Sequence, residues 1–131
     1  MFNDYENFSD QYAAVVDSKP IHRAYERPNT LSLLPQNLTN STILDIGCGT
    51  GWYTEYLISQ GAKVSAIDIS KKMVELTRQR TNNKANCLKM NAVDLSKKFI
   101  AQEFDIILAP LVIHYLKDWD NLFKQFFYVL K

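Results

Sequence analysis

The residues best suited to chemistry begin with three glycines at alternate positions, Gly47, Gly49 and Gly51, directly after the mainly apolar residues 43–46. Apolar, β-branched residues suit a buried parallel strand, and glycines allow turns and close approaches that a Cβ would forbid. A turn of this kind that opens a helix directs several backbone N–H groups at one place, where they favour an anionic group. The stretch therefore predicts a nucleotide-like ligand at the end of a strand.

A carboxylate at a second predicted strand end supports the same ligand. Asp68 lies 21 positions after Gly47, and a carboxylate at that spacing accepts the two hydroxyls of a ribose in dinucleotide-binding folds. The alternative is a purely structural role, because aspartate before a helix is a common capping residue. The glycine turn at the matching distance favours ribose binding.

The spacing of the glycines distinguishes between nucleotide cofactors. A dinucleotide fingerprint reads G-x-G-x-x-G, and its third glycine would fall where this chain has the bulky Trp52. The run Asp45-Ile46-Gly47-Cys48-Gly49-Thr50-Gly51 together with Asp68 resembles the class I S-adenosylmethionine-dependent methyltransferases. The resemblance is nearest to the small-molecule enzymes with an N-terminal helical lid, and it extends from Tyr25-Glu26-Arg27-Pro28 to Val129-Leu130-Lys131.

The resemblance implies a set of contacts to S-adenosylmethionine. The glycine turn would pass against the methionine part, Asp68 would hold the ribose diol, and residues after the second and third strands would surround the adenine. Asn91 stands where the family often has aspartate, and its amide oxygen can still accept a hydrogen bond from the adenine amino group. The implied cofactor-binding residues are Asp45, Gly47, Cys48, Gly49, Gly51, Asp68, Ile69, Met73, Asn91, Ala92, Val93 and Ala109.

Methyl transfer from a sulfonium needs in-line approach of a nucleophile, and positioning alone can supply roughly 7–11 kcal/mol. A general base is needed only if the acceptor must lose a proton. His114, just beyond the predicted fourth strand, is a candidate by location, although a histidine there also suits packing. His22 is a weaker candidate in the N-terminal segment. The lid position implied by the resemblance also suggests that Tyr12 and Tyr25 close over the cofactor.

Strands that alternate with helices predict an α/β fold with a Rossmann-like parallel sheet and right-handed crossovers. The expected sheet order is 3-2-1-4, which places a ligand site at the carboxyl ends of the strands. Ser70 and Asp118 are predicted to cap helices, Gly61 to end one, and residues 91–95 to form a loop. We expect a lid segment over residues 1–40, a cofactor-binding domain over 41–131, and strands at 42–46, 63–68, 86–90 and 104–109.

The composition fits a soluble globular protein. Apolar residues make up 47% and charged residues 22% of the 131 residues, and the formal net charge of +1 gives no reason to expect nucleic acid or an anionic membrane as a partner. Cys48 follows the first predicted strand and Cys87 is expected on a strand two places away in the sheet, which is too far for a disulfide and favours a reducing, cytoplasmic setting. No spacing of residues matches a metal motif.

The family resemblance extends to the end of the chain, where its members usually continue past Val-Leu-Lys into a fifth strand. This chain ends at Lys131. The apolar residues 106–108 suit burial on both faces, so we expect either a truncated methyltransferase or a homodimer that pairs along the fourth strand. The leading hypothesis is a small-molecule methyltransferase. The alternatives are an S-adenosylmethionine-binding protein without catalysis and, more distantly, a nicotinamide-dependent oxidoreductase, which Trp52 disfavours.

Overall fold

The computed structural model describes the backbone of residues 5–131 and the side chains from Asp10 onward, so residues 1–4 of the predicted lid lie outside the described part. The helices are α1 (Tyr5–Val15), α2 (Arg27–Ser32), α3 (Trp52–Ser59), α4 (Lys71–Arg80) and α5 (Trp119–Val129). The strands are β1 (Thr42–Ile46), β2 (Lys63–Asp68), β3 (Asn86–Lys89) and β4 (Ile106–Leu108). Short 3-10 helices span Val16–Ser18, Ala92–Lys97 and Ile113–Tyr115, and a π-helix spans Ile21–Glu26.

The predicted parallel sheet and its order are confirmed. The strands run β3-β2-β1-β4, and β1 pairs in parallel with both β2 and β4. Leu44 is opposite Ser65 on one side and Ile107 on the other, which places β1 in the middle of the sheet. Because parallel strands end at the same edge, the turns after β1, β2, β3 and β4 meet there.

The sheet is covered on both faces, as the apolar strands predict. Leu44 and Ile46 face a core that includes Leu122 of α5. Ile43 faces the opposite way and packs in a second core with Leu57 of α3. The helices packed on both faces hold β1, and the turn that follows it, in a fixed position.

The predicted ends of several helices are confirmed. The Ser70 hydroxyl accepts a hydrogen bond from Met73 N at 3.2 Å, and Asp118 Oδ1 accepts one from Asn121 N at 3.1 Å. Gly61 follows α3 with a φ of +86°, the left-handed conformation that ends helices. Cys48 and Cys87 are buried and unbridged.

Two local predictions are wrong. β4 begins at Ile106 rather than at Phe104 and ends at Leu108 rather than at Ala109; Phe104 pairs instead with Leu130, near the end of the chain. The residues after β3 form a 3-10 helix instead of a loop. Asn91 starts it, because its side-chain oxygen accepts a hydrogen bond from Val93 N at 3.2 Å.

The N-terminal segment is helical with breaks, as predicted, and is held against α4 by ion pairs. Asp10 pairs with Lys72 at 3.0 Å, and Asp17 pairs with Arg80 at 2.7 Å. Arg80 also pairs with Glu55 of α3 at 2.6 Å. Within residues 5–131, no helix combines the length and apolar character needed to cross a bilayer.

Candidate functional site

A cavity of about 630 Å³ lies at the carboxyl ends of the strands. Its floor is the glycine turn after β1 together with the end of β2. One wall is the N-terminal segment, and the other is the stretch that follows β4, from Pro110 to Lys117. Three parts of the chain that are distant in sequence therefore enclose one space, at the edge of the sheet where the topology predicts a ligand.

The glycine turn adopts conformations that other residues rarely take. Gly47, Gly49 and Gly51 all have positive φ values, at +70°, +55° and +88°. A Cβ on Gly47 would lie 2.7 Å from Val112 Cγ2, so the segment after β4 rests directly on the turn. Gly47 N and the following Cys48 N both donate to Ile67 O of β2, at 2.9 and 3.0 Å. The turn is thereby fixed against the neighbouring strand.

Asp68 connects the glycine turn to the start of α4. Its Oδ2 accepts a hydrogen bond from Gly49 N at 3.0 Å, and its Oδ1 accepts one from Ser70 N at 2.9 Å. The side chain also lines the cavity. A carboxylate has about four lone-pair sites, so it can accept several hydrogen bonds at once, including bonds from ligand hydroxyls. The structural role and the ribose-binding role considered for Asp68 are therefore compatible.

Asp45 lies behind the turn rather than in the cavity lining. It is 1% exposed, and Thr54 of α3 donates a hydrogen bond to its Oδ2 at 2.6 Å. Its Oδ1 is a buried oxygen that finds no hydrogen-bond partner among the described residues. The pKa of Asp45 is raised to about 7 in total. Burial is the main cause, the bond from Thr54 acts in the opposite direction, and the nearby Asp68 raises the pKa further.

Replacing Asp45 by asparagine should remove a pH dependence of stability. The folded-state pKa of about 7 exceeds the ordinary value of 3.8, so the folded protein binds this proton more tightly than the unfolded chain does. The contribution of this group to the free energy of unfolding is largest below pH about 4. It decreases by at most about 4 kcal/mol as the pH rises to about 7. Urea unfolding across this range should show a smaller decline for Asp45→Asn. The same decline in wild type and variant would contradict the account, and the exposed Asp120→Asn serves as the control.

Most of the predicted contact residues line the cavity, and four do not. Gly47, Cys48, Gly49, Asp68, Ile69, Met73, Asn91 and Ala92 form part of its surface, and so does His114. Asp45, Gly51, Val93 and Ala109 lie outside the lining. Val93 and Ala109 pack against the core beneath the sheet edge. Beyond β4, the cavity wall is formed by the residues that follow Ala109, starting at Pro110.

Gly51 and Asn91 have local structural roles that the sequence pattern did not reveal. A Cβ on Gly51 would lie 3.0 Å from Thr77 Cα, so this glycine permits close packing of the turn on α4. The Asn91 side-chain oxygen, which was expected at the adenine, already accepts a hydrogen bond from Val93 N. It retains a second lone pair for a ligand.

The π-helix from Ile21 to Glu26 determines which N-terminal side chains reach the cavity. Arg27 N donates to His22 O, five residues back, so these two residues stack one turn apart. In an α-helix they would be rotated by about 140°. His22, Glu26 and Arg27 all line the cavity, whereas Tyr25 is 68% exposed and lies outside it. The expectation that Tyr25 closes over a ligand is therefore wrong, while Tyr12 does line the cavity.

Glu26 is the centre of a hydrogen-bonded group on this wall. Its Oε1 accepts hydrogen bonds from the Tyr53 hydroxyl and from Thr30 Oγ1, the latter at 3.2 Å. Its Oε2 lies 3.6 Å from His22 Nδ1. Burial, followed by the bond to Glu26, raises the pKa of Tyr53 above its usual range, so this hydroxyl remains a donor.

Arg27 is a buried cation that the sequence reading did not single out. It is 7% exposed, and its guanidinium lies 4.1 Å from the centre of the Trp52 ring. Its Nη2 donates to Asp17 Oδ1 at 2.8 Å. A buried arginine beside a glycine turn suits an anionic group such as a carboxylate. Arg27 lies at the start of α2, directly after the π-helix, whose wider turn helical periodicity does not anticipate.

The wall after β4 carries His114 and Tyr115, whose ring centres are 4.0 Å apart. Leu111 has a φ of +56°, an uncommon conformation for leucine, and it lines the cavity beside them. In the part of the chain that the structure describes, no three His, Cys, Asp or Glu side chains are grouped in a way that would hold a metal ion. The site offers hydrogen-bond acceptors, an amide-lined turn and an aromatic wall.

These features fit a nucleoside with an attached amino acid. The positive-φ glycines leave space that a Cβ would fill, and a carboxylate stands at the end of the adjacent strand. The cavity is enclosed by polar groups at the turn and by apolar side chains such as Met73 and Val112. A site of this kind binds a ligand that is partly polar and partly flat and apolar.

Comparison with known proteins gives an independent result. A family model described as "Methyltransferase domain" matches residues 44–131. A ubiquinone biosynthesis O-methyltransferase from Pelagibacter ubique is 34% identical over 72% of this chain and 39% of its own length. A malonyl-[acyl-carrier protein] O-methyltransferase from Priestia megaterium is 28% identical over 99% of this chain and 46% of its own length.

Comparison with solved structures leads to the same family. An S-adenosylmethionine-dependent methyltransferase from Mesorhizobium loti superimposes with a TM-score of 0.73 at 27% identity, covering 85% of this chain and 51% of that protein. The chain spans about half, or less, of the length of these relatives.

Proposed function

The chain belongs to the class I S-adenosylmethionine-dependent methyltransferases, and we propose that it binds this cofactor in the cavity and transfers the methyl group to a small-molecule acceptor. The observation that carries the proposal is the glycine turn after β1, joined through Gly49 N to the Asp68 carboxylate at the end of β2. The two groups meet at the strand ends, where the fold predicts nucleoside binding.

We assign the parts of the cofactor to the walls of the cavity as follows. Asp68 accepts the ribose hydroxyls, while Met73 and Ile69 cover the adenine, with Asn91 and Ala92 at its edge. The methionine part lies along residues 47–49, and Arg27 receives its carboxylate. When bound, the cofactor supplies an activated methyl group on a sulfonium. The role of the protein is then to hold the acceptor in line with it and to exclude water.

The structure supports a role in positioning the acceptor more strongly than it supports any particular residue as a catalytic base. His114 and His22 both line the cavity, one on each wall. His114 remains the candidate base for an acceptor that must lose a proton, and it faces the space from the segment after β4. Relatives named for ubiquinone biosynthesis and for malonyl-[acyl-carrier protein] show that similar chains belong to O-methyltransferases.

The proposed activity is tested by incubating the chain with cofactor that carries a labelled methyl group and with panels of phenols and carboxylic acids. Label transferred to at least one panel member, with release of S-adenosylhomocysteine, is the expected result. Binding of S-adenosylhomocysteine without any transfer would support the alternative of a binding protein without catalysis. A chain that binds neither the cofactor nor its demethylated product would contradict both proposals.

We also propose that two copies pair along β4. Among the described strands, Ile106–Leu108 of β4 pairs with β1 alone, and on the outer edge Phe104, just before β4, pairs with Leu130 of the same chain. A second chain would therefore pair with residues 106–108 of this edge. On the adjacent α5, Phe127 is 88% exposed and Phe123 is 52% exposed. Size-exclusion chromatography with light scattering should give a dimer, which Phe127→Glu weakens. A monomer at every concentration would overturn this proposal.

A cytoplasmic location is proposed on separate grounds. Cys48 and Cys87 are both buried and unbridged. Free thiols of this kind persist in reducing compartments. Fractionation of cells that express the chain should recover it with the cytoplasmic proteins, and recovery in an oxidising compartment would contradict the proposal.

A further inference from the structure

The two histidines that line the cavity differ in what their rings contact. His22 Nδ1, on the N-terminal wall, lies 3.6 Å from Glu26 Oε2. The ring of His114, on the wall after β4, contacts the ring of Tyr115, with 4.0 Å between their centres. A carboxylate beside one ring nitrogen fixes the tautomer of an imidazole and stabilises the imidazolium that forms when the other nitrogen accepts a proton. His22 is therefore the better placed of the two to act as a base.

Glu26 is itself held in position, which is what allows it to orient a neighbouring ring. Its Oε1 accepts hydrogen bonds from the Tyr53 hydroxyl of α3 and from Thr30 Oγ1. The contact with His22 uses the other oxygen, Oε2. Ion pairs between residues four apart on an exposed helix surface contribute little. Here the side chains of His22 and Glu26 are only 17% and 11% exposed, so the contact is largely shielded from water.

The pair stands on the side of the π-helix that lines the cavity. His22, Glu26 and Arg27 all form part of the cavity surface. Because Arg27 N donates to His22 O, His22 and Arg27 stack one turn apart. Under the proposed assignment of the cofactor carboxylate to Arg27, His22 lies one helical turn from the group that holds the methionine part. This is the part of the cofactor that carries the methyl group.

We propose that His22 is the general base of the methyl transfer, that Glu26 is its positioning residue, and that the acceptor atom is the oxygen of a hydroxyl group that is not ionised at neutral pH. The inference rests on the proposed function, and it names His22 in place of His114, which is the candidate by location. A base is needed only where the acceptor must lose a proton, and a carboxylic acid is already ionised.

The proton transfer follows from the tautomer that Glu26 imposes. With Nδ1–H directed at Glu26, His22 Nε2 carries the lone pair that accepts the hydroxyl proton. The acceptor oxygen forms a bond to the methyl carbon, and the bond from that carbon to sulfur breaks with its electron pair on sulfur. The proton remains on His22 as an imidazolium beside Glu26. Catalytic hydrogen bonds are often long before substrate binds, so the 3.6 Å separation suits a contact that tightens in the complex.

The first test determines the tautomer of His22 by NMR and needs no acceptor. Protein with ¹⁵N-labelled histidine is saturated with S-adenosylhomocysteine at a pH that keeps the ring neutral, and the signal is assigned by its loss in His22→Gln. The wild type should show the Nδ1–H form. Glu26→Leu should shift the ring toward the Nε2–H form that imidazoles favour in water, whereas the matched control Glu75→Leu, on α4 outside the cavity lining, should not.

The wild-type spectrum decides the question even if Glu26→Leu fails to fold. An Nε2–H form of His22 in the wild type would overturn the inference, because Nε2 could then accept no proton. The same result follows if a folded Glu26→Leu protein keeps the Nδ1–H form, since Glu26 would then not be the group that sets the tautomer.

The second test measures methyl transfer with the panel of phenols and carboxylic acids. Transfer to a phenol is expected, and His22→Gln should lower kcat by about 100-fold or more with little change in KM. Glu26→Gln should lower kcat by about 10-fold. A larger loss in His114→Gln than in His22→Gln, or transfer to carboxylic acids alone, would overturn the inference and leave the proposed methyl transfer intact. Binding of S-adenosylhomocysteine without transfer to any panel member, or no binding at all, would instead overturn the proposed function, and this inference with it.

Discussion

Replacing Asp68 by alanine is expected to weaken the binding of S-adenosylhomocysteine by about 100-fold or more, because each ribose hydroxyl loses a charged acceptor that contributes about 1.5–3 kcal/mol. The substitution also removes the link between Gly49 N and Ser70 N, which orients the glycine turn toward the ligand. Isothermal titration calorimetry measures the loss directly.

A control separates the loss of binding from a general loss of structure. Asp94, which pairs with Lys97 at 2.8 Å outside the cavity lining, gives the matched variant Asp94→Ala, with expected wild-type affinity. Urea unfolding of Asp68→Ala shows whether the fold remains. A folded Asp68→Ala protein that binds with the affinity of the wild type would remove Asp68 from the site.

Replacing Gly51 by alanine is expected to lower the free energy of unfolding by about 2–5 kcal/mol. Its φ of +88° is left-handed, which costs an alanine about 1–2 kcal/mol. In addition, the new Cβ would lie 3.0 Å from Thr77 Cα, a backbone atom of α4 that moves only with its helix. Overpacking of this kind costs about 1–3 kcal/mol. Urea or thermal unfolding measures the total.

Gly49→Ala is the matched control, because it differs from Gly51→Ala mainly in the space around the new methyl group. Gly49 also has a positive φ, at +55°, but the nearest atom to its Cβ would be Gly47 O at 4.0 Å. We expect only the conformational cost of about 1–2 kcal/mol. Equal destabilisation of the two variants would show that contact with α4 contributes nothing.

The sequence predicted the central part of the fold because its signals there are local. β2 runs from Lys63 to Asp68 as predicted, since an apolar run lies between a helix-ending glycine and a capping serine. The glycine turn was predicted for the same reason, because each glycine by itself permits the positive φ value that the turn requires. Neighbouring residues alone are sufficient to specify these features.

Other features depend on contacts between distant residues, which a local pattern does not contain. β4 starts two residues later than predicted, and Phe104 pairs instead with Leu130, near the end of the chain. The N-terminal wall depends on a π-helix, whose five-residue hydrogen bonds bring His22 and Arg27 to one face. The lid position that the resemblance implies led to the expectation that Tyr25 closes over the ligand, and the structure places this side chain in solvent.

The N-terminal wall also links the site to the rest of the fold. Asp17 lies between Arg27 of the cavity and Arg80 of α4, at 2.8 and 2.7 Å. Arg80 in turn reaches Glu55 of α3. Under the proposed assignment of the cofactor carboxylate to Arg27, we expect cofactor binding and the position of this wall to be energetically coupled, because the same ion pairs hold the segment in place.

The central claim, that the cavity is an S-adenosylmethionine site, is tested most directly by calorimetric titration with S-adenosylhomocysteine and, in parallel, with NAD⁺. The glycine spacing and the Asp68 carboxylate predict saturable binding of S-adenosylhomocysteine, one molecule per chain, and no comparable binding of NAD⁺, since Trp52 occupies the place of the third fingerprint glycine. Absence of S-adenosylhomocysteine binding, or tighter binding of NAD⁺, would contradict the claim.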